Sequence, residues 1–444
     1  MDVLRAAVTD ISAFRWQALA WALAQQTYAE GFVAFLTNNR IEYPNDPFPN
    51  RLFVGAKRVI PFSGENTAGT DAFEIVYKAH SERPSFLVGY WGYDLKNQLE
   101  ALASCHPNRL GFPEAYFVEP EWVIDFENST VSESNVVIRG DGDANELLNQ
   151  LLTYPQPNAP RPRPPAQRNI QCRVTPETYQ DTVRRTQEHI LAGDVYELNY
   201  CIEFFSEKAT LDPLAMYRAL TERSPMPFSS FLKIGDKYVM GASPERFLKK
   251  EGQKILSQPI KGTVRRGITP DEDVLLRDQL LNSEKERAEN LMIVDLVRND
   301  LARSAVTGSV QVDELFGIYG FQQVYQMIST VSATLRENVT WAEAIRNAFP
   351  MGSMTGAPKI RAMELIDELE VSRRGVYSGA IGFITPDGDF DFNVVIRTLL
   401  YDAQRQYASF SVGSAITYDA DPAQEWEECL LKARAIREVL ENSH

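Results

Sequence analysis

Three stretches near the C-terminal end decide the fold class: YSGAIGFI (residues 377–384), FNVVIRTLLY (392–401) and YASFSVGSAITY (407–418). Each is rich in β-branched and aromatic residues, and short polar segments that contain Asp separate them. Runs of this kind predict β-strands, and their close succession favours antiparallel neighbours.

Helical patterns flank these strands. They cover residues 175–193, 283–303, 357–370 and 421–440, and the first has a Thr at its start and a Gly at its end. Residues 283–303 are apolar on nearly every side, which predicts a buried helix. Further strands are predicted at 195–205, 237–260 and 323–335. The fold class is therefore α+β, with large antiparallel sheets forming a sandwich and helices packed outside.

One boundary in the chain is clear from composition. Residues 154–169, YPQPNAPRPRPPAQRN, hold six prolines and almost no apolar side chain. Such a segment predicts an extended, solvated connector. It divides the 444 residues into an N-terminal region (1–153), a proline-rich linker (154–170) and a C-terminal domain (171–444).

The overall composition excludes several classes of partner. The chain has 45 Lys and Arg against 60 Asp and Glu, a net charge of −15, which argues against nucleic acid and anionic membranes. The scattered cysteines, the N-terminal sequence MDVLRAAVTDISAF and the lack of a membrane-length apolar run predict a cytoplasmic protein with reduced thiols. Four histidines make a His-rich metal site an unfavourable hypothesis.

A single lysine has an unusual setting in SQPIKGTVRRG, residues 257–267. Lys261 lies in a Pro-Ile-Lys-Gly-Thr segment just before Arg265 and Arg266. Burial and nearby cations both lower the pKa of a lysine, so the sequence predicts an amine that loses its proton easily.

Two pairs of glutamates share helical spacing. Glu286 and Glu289 are three residues apart on one predicted helix, as are Glu425 and Glu428 on the last one. Two carboxylate pairs could ligate Mg²⁺, which commonly takes one or two protein carboxylates. The alternatives are a capping box that uses Glu286 and a surface ion pair between Glu428 and Lys432. Spacing alone leaves both interpretations open.

The Gly-rich segment FPMGSMTGAPKIRAMELI, residues 349–366, enters a predicted helix. It is not a Walker A motif, because no Gly-Lys-Ser/Thr follows the glycines. A helix N-terminus that binds an anion and a tight turn before Pro358 are both compatible with this pattern.

Seven motifs together resemble the chorismate-utilising enzymes, the group that holds anthranilate, aminodeoxychorismate, isochorismate and salicylate synthases. They are GASPERF, PIKGT, RAENLMIVDLVRNDL, FPMGSMTGAPKIRAMELI, GVYSGAIGF, FNVVIRT and EWEECLLKAR, in that order from about Val174 onward. FLVGYWGYDLKNQLE, in the first part, also resembles the members that transfer an amino group. The resemblance implies a two-subdomain chorismate-binding fold.

The same resemblance implies roles for individual residues. Glu245 matches a general acid, and Lys261 matches a nucleophile that adds to C2 of chorismate. Matches to substrate contacts are Gly262, Thr263, Tyr377, Arg397, Gly413 and Lys432. Matches to Mg²⁺ ligands are Glu289 and Glu428, with Glu286 and Glu425 beside them.

Two positions distinguish the branches of this group. Anthranilate synthases typically carry alanine where Lys261 stands, and isochorismate- and salicylate-forming members carry a lysine at the position of Glu197. Gln326 replaces a histidine linked to pyruvate elimination. The resemblance therefore implies the branch that forms 4-amino-4-deoxychorismate, on the route to p-aminobenzoate and folate. Ammonia would come from a separate glutaminase subunit. The alternatives are an anthranilate synthase, an isochorismate or salicylate synthase, and a non-catalytic chorismate-binding regulatory subunit.

Overall fold

The computed structural model describes residues 2–25, 31–63, 71–129, 133–157 and 169–442. Within these ranges, a twelve-stranded sheet and a ten-stranded sheet account for the strands, and every strand pair is antiparallel.

The first sheet runs through both halves of the chain. Its order is β1 (Asp2–Ala7), β8 (Glu133–Gly140), β7 (Trp122–Ser129), β3 (Arg51–Val54), β2 (Val33–Thr37), β11 (Phe228–Ile234), β12 (Lys237–Ser243), β21 (Thr398–Asp402), β22 (Tyr407–Ile416), β10 (Glu197–Ser206) and β18 (Gly356–Ala357), with β9 (Gln171–Cys172) paired to β10. β10 therefore lies near one edge of this sheet.

The second sheet is also built from both halves. Its order is β15 (Ile260–Arg265), β17 (Val324–Thr334), β14 (Lys254–Gln258), β13 (Arg246–Glu251), β20 (Phe390–Asn393), β19 (Ala380–Ile384), β5 (Leu87–Trp91), β6 (Ala115–Glu119) and β4 (Arg58–Phe62), with β16 (Gln311–Gly320) paired to β17. β15 ends this order.

The helices are α1 (Ile11–Ala24), α2 (Ala72–Glu82), α3 (Lys96–Leu99), α4 (Ala144–Thr153), α5 (Pro176–Leu191), α6 (Pro213–Arg223), α7 (Pro270–Asn282), α8 (Glu284–Ala302), α9 (Trp341–Ala348), α10 (Lys359–Leu369) and α11 (Pro422–Asn442). The four helices predicted in the C-terminal part all form. The prediction that α8 is buried on nearly every side is wrong, since Leu291 is 51% exposed. One face of α8 packs on β15 and β17, and the opposite face meets solvent.

The two sheets pack face to face, with helices on the outside. One buried cluster joins side chains of both sheets, such as Phe53 of β3 and Phe383 of β19, whose ring centroids are 6.4 Å apart. A second cluster lies between the first sheet and helices that include α1, α5 and α11. A third lies between the second sheet and α2, α8 and α9. The predicted α+β sandwich is confirmed.

The predicted strand at 392–401 is wrong in one informative respect. It is two strands in different sheets, because Asn393 ends β20 and Thr398 begins β21. Arg397 lies in the crossing with a φ of 50°, a left-handed conformation that breaks the strand. The other two opening stretches form β19 and β22.

The N-terminal region shares both sheets with the C-terminal domain. Val33 of β2 pairs with Lys233 of β11, and Leu87 of β5 pairs with Ile384 of β19. The linker therefore marks a boundary in the chain but not in the sheets, and its residues 158–168 lie outside the described ranges. No helix of the described residues is long and apolar enough to cross a bilayer.

Candidate active site

The candidate site lies where the edges of the two sheets meet. Lys261 of β15 donates a hydrogen bond from Nζ to Glu197 Oε1 of β10, at 2.7 Å. The Glu197 side chain is 1% exposed and that of Lys261 is 12% exposed. A cation and an anion that are withdrawn from water together must compensate each other's lost hydration.

Carboxylates control the charge of Lys261. Burial by itself would lower the pKa of this lysine, but Glu197, Glu289 and Glu428 outweigh burial and raise the pKa above its ordinary value. The prediction of a lowered pKa is therefore wrong for the site without substrate. Arg265 and Arg266 are not its neighbours, since they pair with Glu272 and Asp273 on α7.

Glu245 lies between β12 and β13 and is buried. Burial raises the pKa of Glu245 to about 7, although the Ser353 hydroxyl and the positive charges of Lys261 and Arg397 partly oppose the rise. A carboxyl group with this pKa carries a proton in a useful fraction of molecules at neutral pH. This is the property that a general acid needs.

Arg397 is a half-buried cation that forms no ion pair within the described ranges. Burial lowers the pKa of its guanidinium to about 10, with a small opposing effect from Glu245. The side chain contacts Met226 Sδ at 3.7 Å, and no carboxylate of the described residues forms an ion pair with it. A desolvated guanidinium of this kind is suited to bind a carboxylate of a ligand.

Tyr377 and Gly413 meet at Cys201 of β10. The Tyr377 hydroxyl lies 3.8 Å from Cys201 Sγ, and burial raises the pKa of Tyr377 well above its usual value. Gly413 of β22 lies opposite Cys201 in the sheet, and a Cβ at Gly413 would lie 2.5 Å from the same sulfur. Gly413 is therefore required by the close approach of β10.

Gly262 and Thr263 follow the lysine on β15. Gly262 has a φ of +91°, and a Cβ there would lie 3.1 Å from Glu286 Oε2. Thr263 pairs across the strands with Gln326, which is buried. The Gln326 Oε1 atom has no hydrogen-bond partner among the described residues, so an amide oxygen is left available beside the lysine strand.

The glutamates of α8 and α11 come within reach of each other's charge at one cross-helix pair, Glu286 and Glu428. Burial is the main cause of the raised pKa values of Glu286, Glu289 and Glu425, and that of Glu289 reaches about 7. The charge of Glu428 contributes to the rise at Glu286 and at Glu425. Glu286 and Glu428 therefore repel each other across the two helices, and Glu425 and Glu428 repel each other within α11.

Two alternatives for these glutamates can be decided. Ser283 donates its N–H to the Leu280 carbonyl at 3.3 Å, not to the Glu286 carboxylate, so the reciprocal half of a capping box is missing. Glu428 does form the expected ion pair with Lys432, at 2.6 Å. Burial alone would raise the pKa of Glu428, but Lys432 and other lysines lower it overall. Lys432 also donates to the Gly413 carbonyl, at 2.9 Å.

The donor set fits Mg²⁺ in part. Carboxylate oxygens are its preferred protein ligands, and mutually repelling carboxylates gain from a cation between them. Within the described ranges, no three His, Cys, Asp or Glu side chains are placed to hold a metal ion by themselves. Glu289 and Glu428 would therefore hold Mg²⁺ only together with water and an anionic ligand, which is common for this ion.

The Gly-rich segment supports Glu197. Gly356 and Ala357 form β18, which pairs with Leu198 and Glu197 of β10, and a Cβ at Gly356 would lie 2.1 Å from the Glu197 carbonyl oxygen. Lys359, at the start of α10, pairs with the buried Asp300 at 2.6 Å. This geometry favours the tight-turn interpretation of the segment.

Residues 41–438 match the family described as chorismate binding enzyme. The chain belongs to the chorismate binding enzyme family. The match begins in the N-terminal region, well before the motifs that follow Val174. The chain is therefore a chorismate-utilising enzyme, and its N-terminal strands from β3 onward lie within the region that matches the family.

Named relatives include two kinds of synthase. The chain is 35% identical over 409 residues to anthranilate synthase component 1 of Thermus thermophilus, covering 87% of this chain and 88% of the relative. It is 40% identical over 369 residues to aminodeoxychorismate synthase of Streptomyces griseus, covering 80% of this chain and 50% of that relative. The solved anthranilate synthase component I of Streptococcus pneumoniae is 28% identical, with a TM-score of 0.76 over 89% of this chain and 95% of its own.

The sequence motifs did not reveal the Lys261–Glu197 contact. The two residues are 64 positions apart and lie in different sheets, so neither helical nor strand spacing connects them. The available signal was a charged residue, Glu197, at the third position of the predicted strand VYELNYCIEFF, most of whose other residues are apolar.

Proposed function

We propose that this chorismate binding enzyme is an aminodeoxychorismate synthase, which converts chorismate and ammonia to 4-amino-4-deoxychorismate and water. The observation that carries the proposal is the buried amine of Lys261, held at 2.7 Å from Glu197 where the two sheets meet. The resemblance in sequence implies alanine at this position in anthranilate synthases. The Streptomyces griseus aminodeoxychorismate synthase adds support, with 40% identity over its aligned residues.

The residues suggest a two-step route. In the first step a bond forms between Lys261 Nζ and C2 of chorismate, the two conjugated double bonds of the ring both shift, and the C4–O bond breaks. Glu245 protonates the departing hydroxyl, which leaves as water. In the second step the nitrogen of ammonia bonds to C4, both double bonds shift back, and the C2–Nζ bond breaks. Covalent catalysis of this kind divides one difficult substitution into two easier ones.

Substrate orientation would depend on the cationic and acidic groups around the lysine. We propose that Arg397 binds one carboxylate of chorismate, since its guanidinium contacts Met226 Sδ and forms no ion pair within the described residues. Tyr377 would contact the same carboxylate. Glu289 and Glu428 would hold Mg²⁺, which when bound supplies positive charge for the other substrate carboxylate. Lys432 joins Glu428 to the Gly413 carbonyl and fixes that side of the site.

Gln326 supports a product that keeps its pyruvyl group. An amide has no basic nitrogen with which to remove a ring proton, and Gln326 lies opposite Thr263 beside the lysine. We therefore propose that the reaction stops at 4-amino-4-deoxychorismate. We also propose that a separate glutaminase subunit supplies the ammonia.

A product assay tests this function. Chorismate, Mg²⁺ and an ammonium salt are incubated with the enzyme, and the products are identified by mass spectrometry. We expect 4-amino-4-deoxychorismate, and Lys261→Ala should lower its rate of formation by on the order of a hundredfold or more. Lys254→Ala is the matched control, since Lys254 is exposed and pairs with Asp313 on the protein surface.

The alternatives give distinct results. Anthranilate as the product would favour anthranilate synthase, the activity named for the Thermus thermophilus relative that aligns over 87% of this chain. Isochorismate or salicylate would favour the branch that uses water. Full activity of Lys261→Ala, with ammonia or glutamine as donor, would exclude the lysine as nucleophile.

A further inference from the structure

Glu197 has a carboxylate whose two oxygens differ in their surroundings. Oε1 accepts the hydrogen bond from Lys261 Nζ at 2.7 Å. Oε2 is buried and has no hydrogen-bond partner among the described residues. Buried polar atoms are nearly always paired, so an open carboxylate oxygen in a catalytic site indicates a group that gains a partner during the reaction.

The backbone on both sides of Glu197 is fixed. The Tyr196 N–H donates to the Ala357 carbonyl at 2.7 Å, and Ala357 of β18 pairs with Glu197 itself. A side chain on such a support stays in place when its charge changes. The Glu197 carboxylate is therefore positioned to exchange a proton without leaving the lysine.

Other carboxylates near Lys261 are less suitable for this exchange. Glu289 of α8 and Glu428 of α11 act on the lysine only through space, because no hydrogen bond joins either of them to Nζ in the described part of the chain. Glu245 is assigned to the departing hydroxyl. Glu197 is the carboxylate in direct contact with the amine.

We propose that Glu197 is a catalytic residue that carries the proton of Lys261. This inference rests on the proposed function. Lys261 starts as an ammonium group and Glu197 as a carboxylate. One ammonium proton moves to Glu197, and the resulting neutral amine bonds to C2, so that the bound Nζ carries two hydrogens and the positive charge. As ammonia bonds to C4 and forms the new ammonium substituent, Nζ leaves as a neutral amine, and Glu197 returns the proton to restore the Lys261 ammonium group. The Glu245 proton leaves in the water, so atoms and charge balance over the two steps.

Glu197→Gln tests the proposal, since the amide keeps the size and can still accept the N–H of Lys261 but cannot take its proton. We expect kcat for 4-amino-4-deoxychorismate to fall by about 10²-fold or more, with KM for chorismate nearly unchanged. Below about pH 7, where Glu245 is protonated and the rate of the parent enzyme is expected to be flat, the remaining rate should rise with pH, because hydroxide then removes the lysine proton. A role limited to positioning would give a pH profile parallel to that of the parent enzyme.

Protonation of Lys261 is followed separately by competitive acetylation and mass spectrometry in Mg²⁺-containing buffer. In Glu197→Gln, the pH at which Lys261 is acetylated at half its maximal rate should be lower than in the parent enzyme, because the carboxylate that contributes most to holding the lysine proton is lost. Glu245, Glu286, Glu289 and Glu428 are unchanged in this variant. Glu203→Gln is the matched control, because Glu203 is a buried carboxylate on the same strand that bonds to Arg173 at 2.9 Å. It should leave both profiles unchanged.

The outcomes separate the two proposals. If the parent enzyme forms 4-amino-4-deoxychorismate and folded Glu197→Gln keeps its kcat within about twofold, the proton-carrier role is overturned and the function stands. If the parent forms another product, the proposed function fails and the inference fails with it. Glu197→Asp retains a proton acceptor, so its kcat should be at least about tenfold higher than that of Glu197→Gln. An equal loss in both variants would also overturn the inference.

Discussion

At the scale of single residues, burial has opposite consequences for the acid and the cations of the site. It raises the pKa of Glu245 to about 7 and lowers the pKa of Arg397 to about 10, and Arg397 forms no ion pair in the part of the chain that the structure describes. Lys261 differs because three carboxylates outweigh burial and keep its proton bound. The resting site therefore holds an acid ready to donate and a nucleophile that must first lose a proton.

The pKa of Glu245 predicts the pH dependence of the first step. The protonated form is the active one, so kcat should fall as pH rises through about 7, and it should be highest on the acidic side of that value. Glu245→Gln should be slower by about 10²–10⁴-fold and lose this decrease. The measurement is the pH profile of kcat at saturating chorismate and ammonia. A profile of the parent that stays flat through pH 7 would contradict the assignment.

At the scale of elements, the sequence predicted the helices well and one strand badly. α5, α10 and α11 follow from caps, periodicity and proline positions, which are local signals. The division of 392–401 between two sheets depends on Arg397 adopting a left-handed φ of 50°, and its apolar neighbours give no local sign of it. The candidate site residues were predicted from motifs, whereas the Glu197 contact needed the tertiary structure.

The left-handed backbone of Gly262 should be needed for activity as well as for stability. Gly262→Ala would place a Cβ 3.1 Å from Glu286 Oε2 at a φ of +91°. Gly252→Ala is the matched control, since Gly252 has a φ of +56° and nothing within 4 Å of such a Cβ. Both variants should lose roughly 1 kcal/mol or more of unfolding free energy. Gly262→Ala alone should lose activity, which thermal unfolding and kcat measurements together can show. Equal activity of the two variants would show that Gly262 has no role in the active site.

At the scale of the whole molecule, the N-terminal region is part of both sheets. Arg246 of the C-terminal domain pairs with Asp391 at 2.9 Å and also donates to the Asn45 carbonyl, at 3.3 Å. Gln258, three positions before Lys261, donates to the Pro44 carbonyl at 3.0 Å. Hydrogen bonds to backbone carbonyls of the N-terminal region therefore help to fix β13 and β14, the strands on either side of the candidate site residues Glu245 and Lys261 in the sequence.

A chain limited to residues 171–444 should not fold, because β11 and β19 would lose their partners β2 and β5. Exposed strand edges of this kind favour aggregation. Co-expression of residues 1–153 as a separate chain should restore a soluble complex, measured by size-exclusion chromatography and circular dichroism. A monomeric, cooperatively unfolding 171–444 fragment would show that the N-terminal strands are dispensable.

The pairing of β2 with β11 also sets a time scale during synthesis. Val33 leaves the ribosome 200 residues before its partner Lys233. At typical elongation rates β2 then waits roughly 10–40 s for that strand to be made. During this interval the nascent chain exposes the apolar strand VAFLT, whose native partner on this side, β11, has not yet been synthesised.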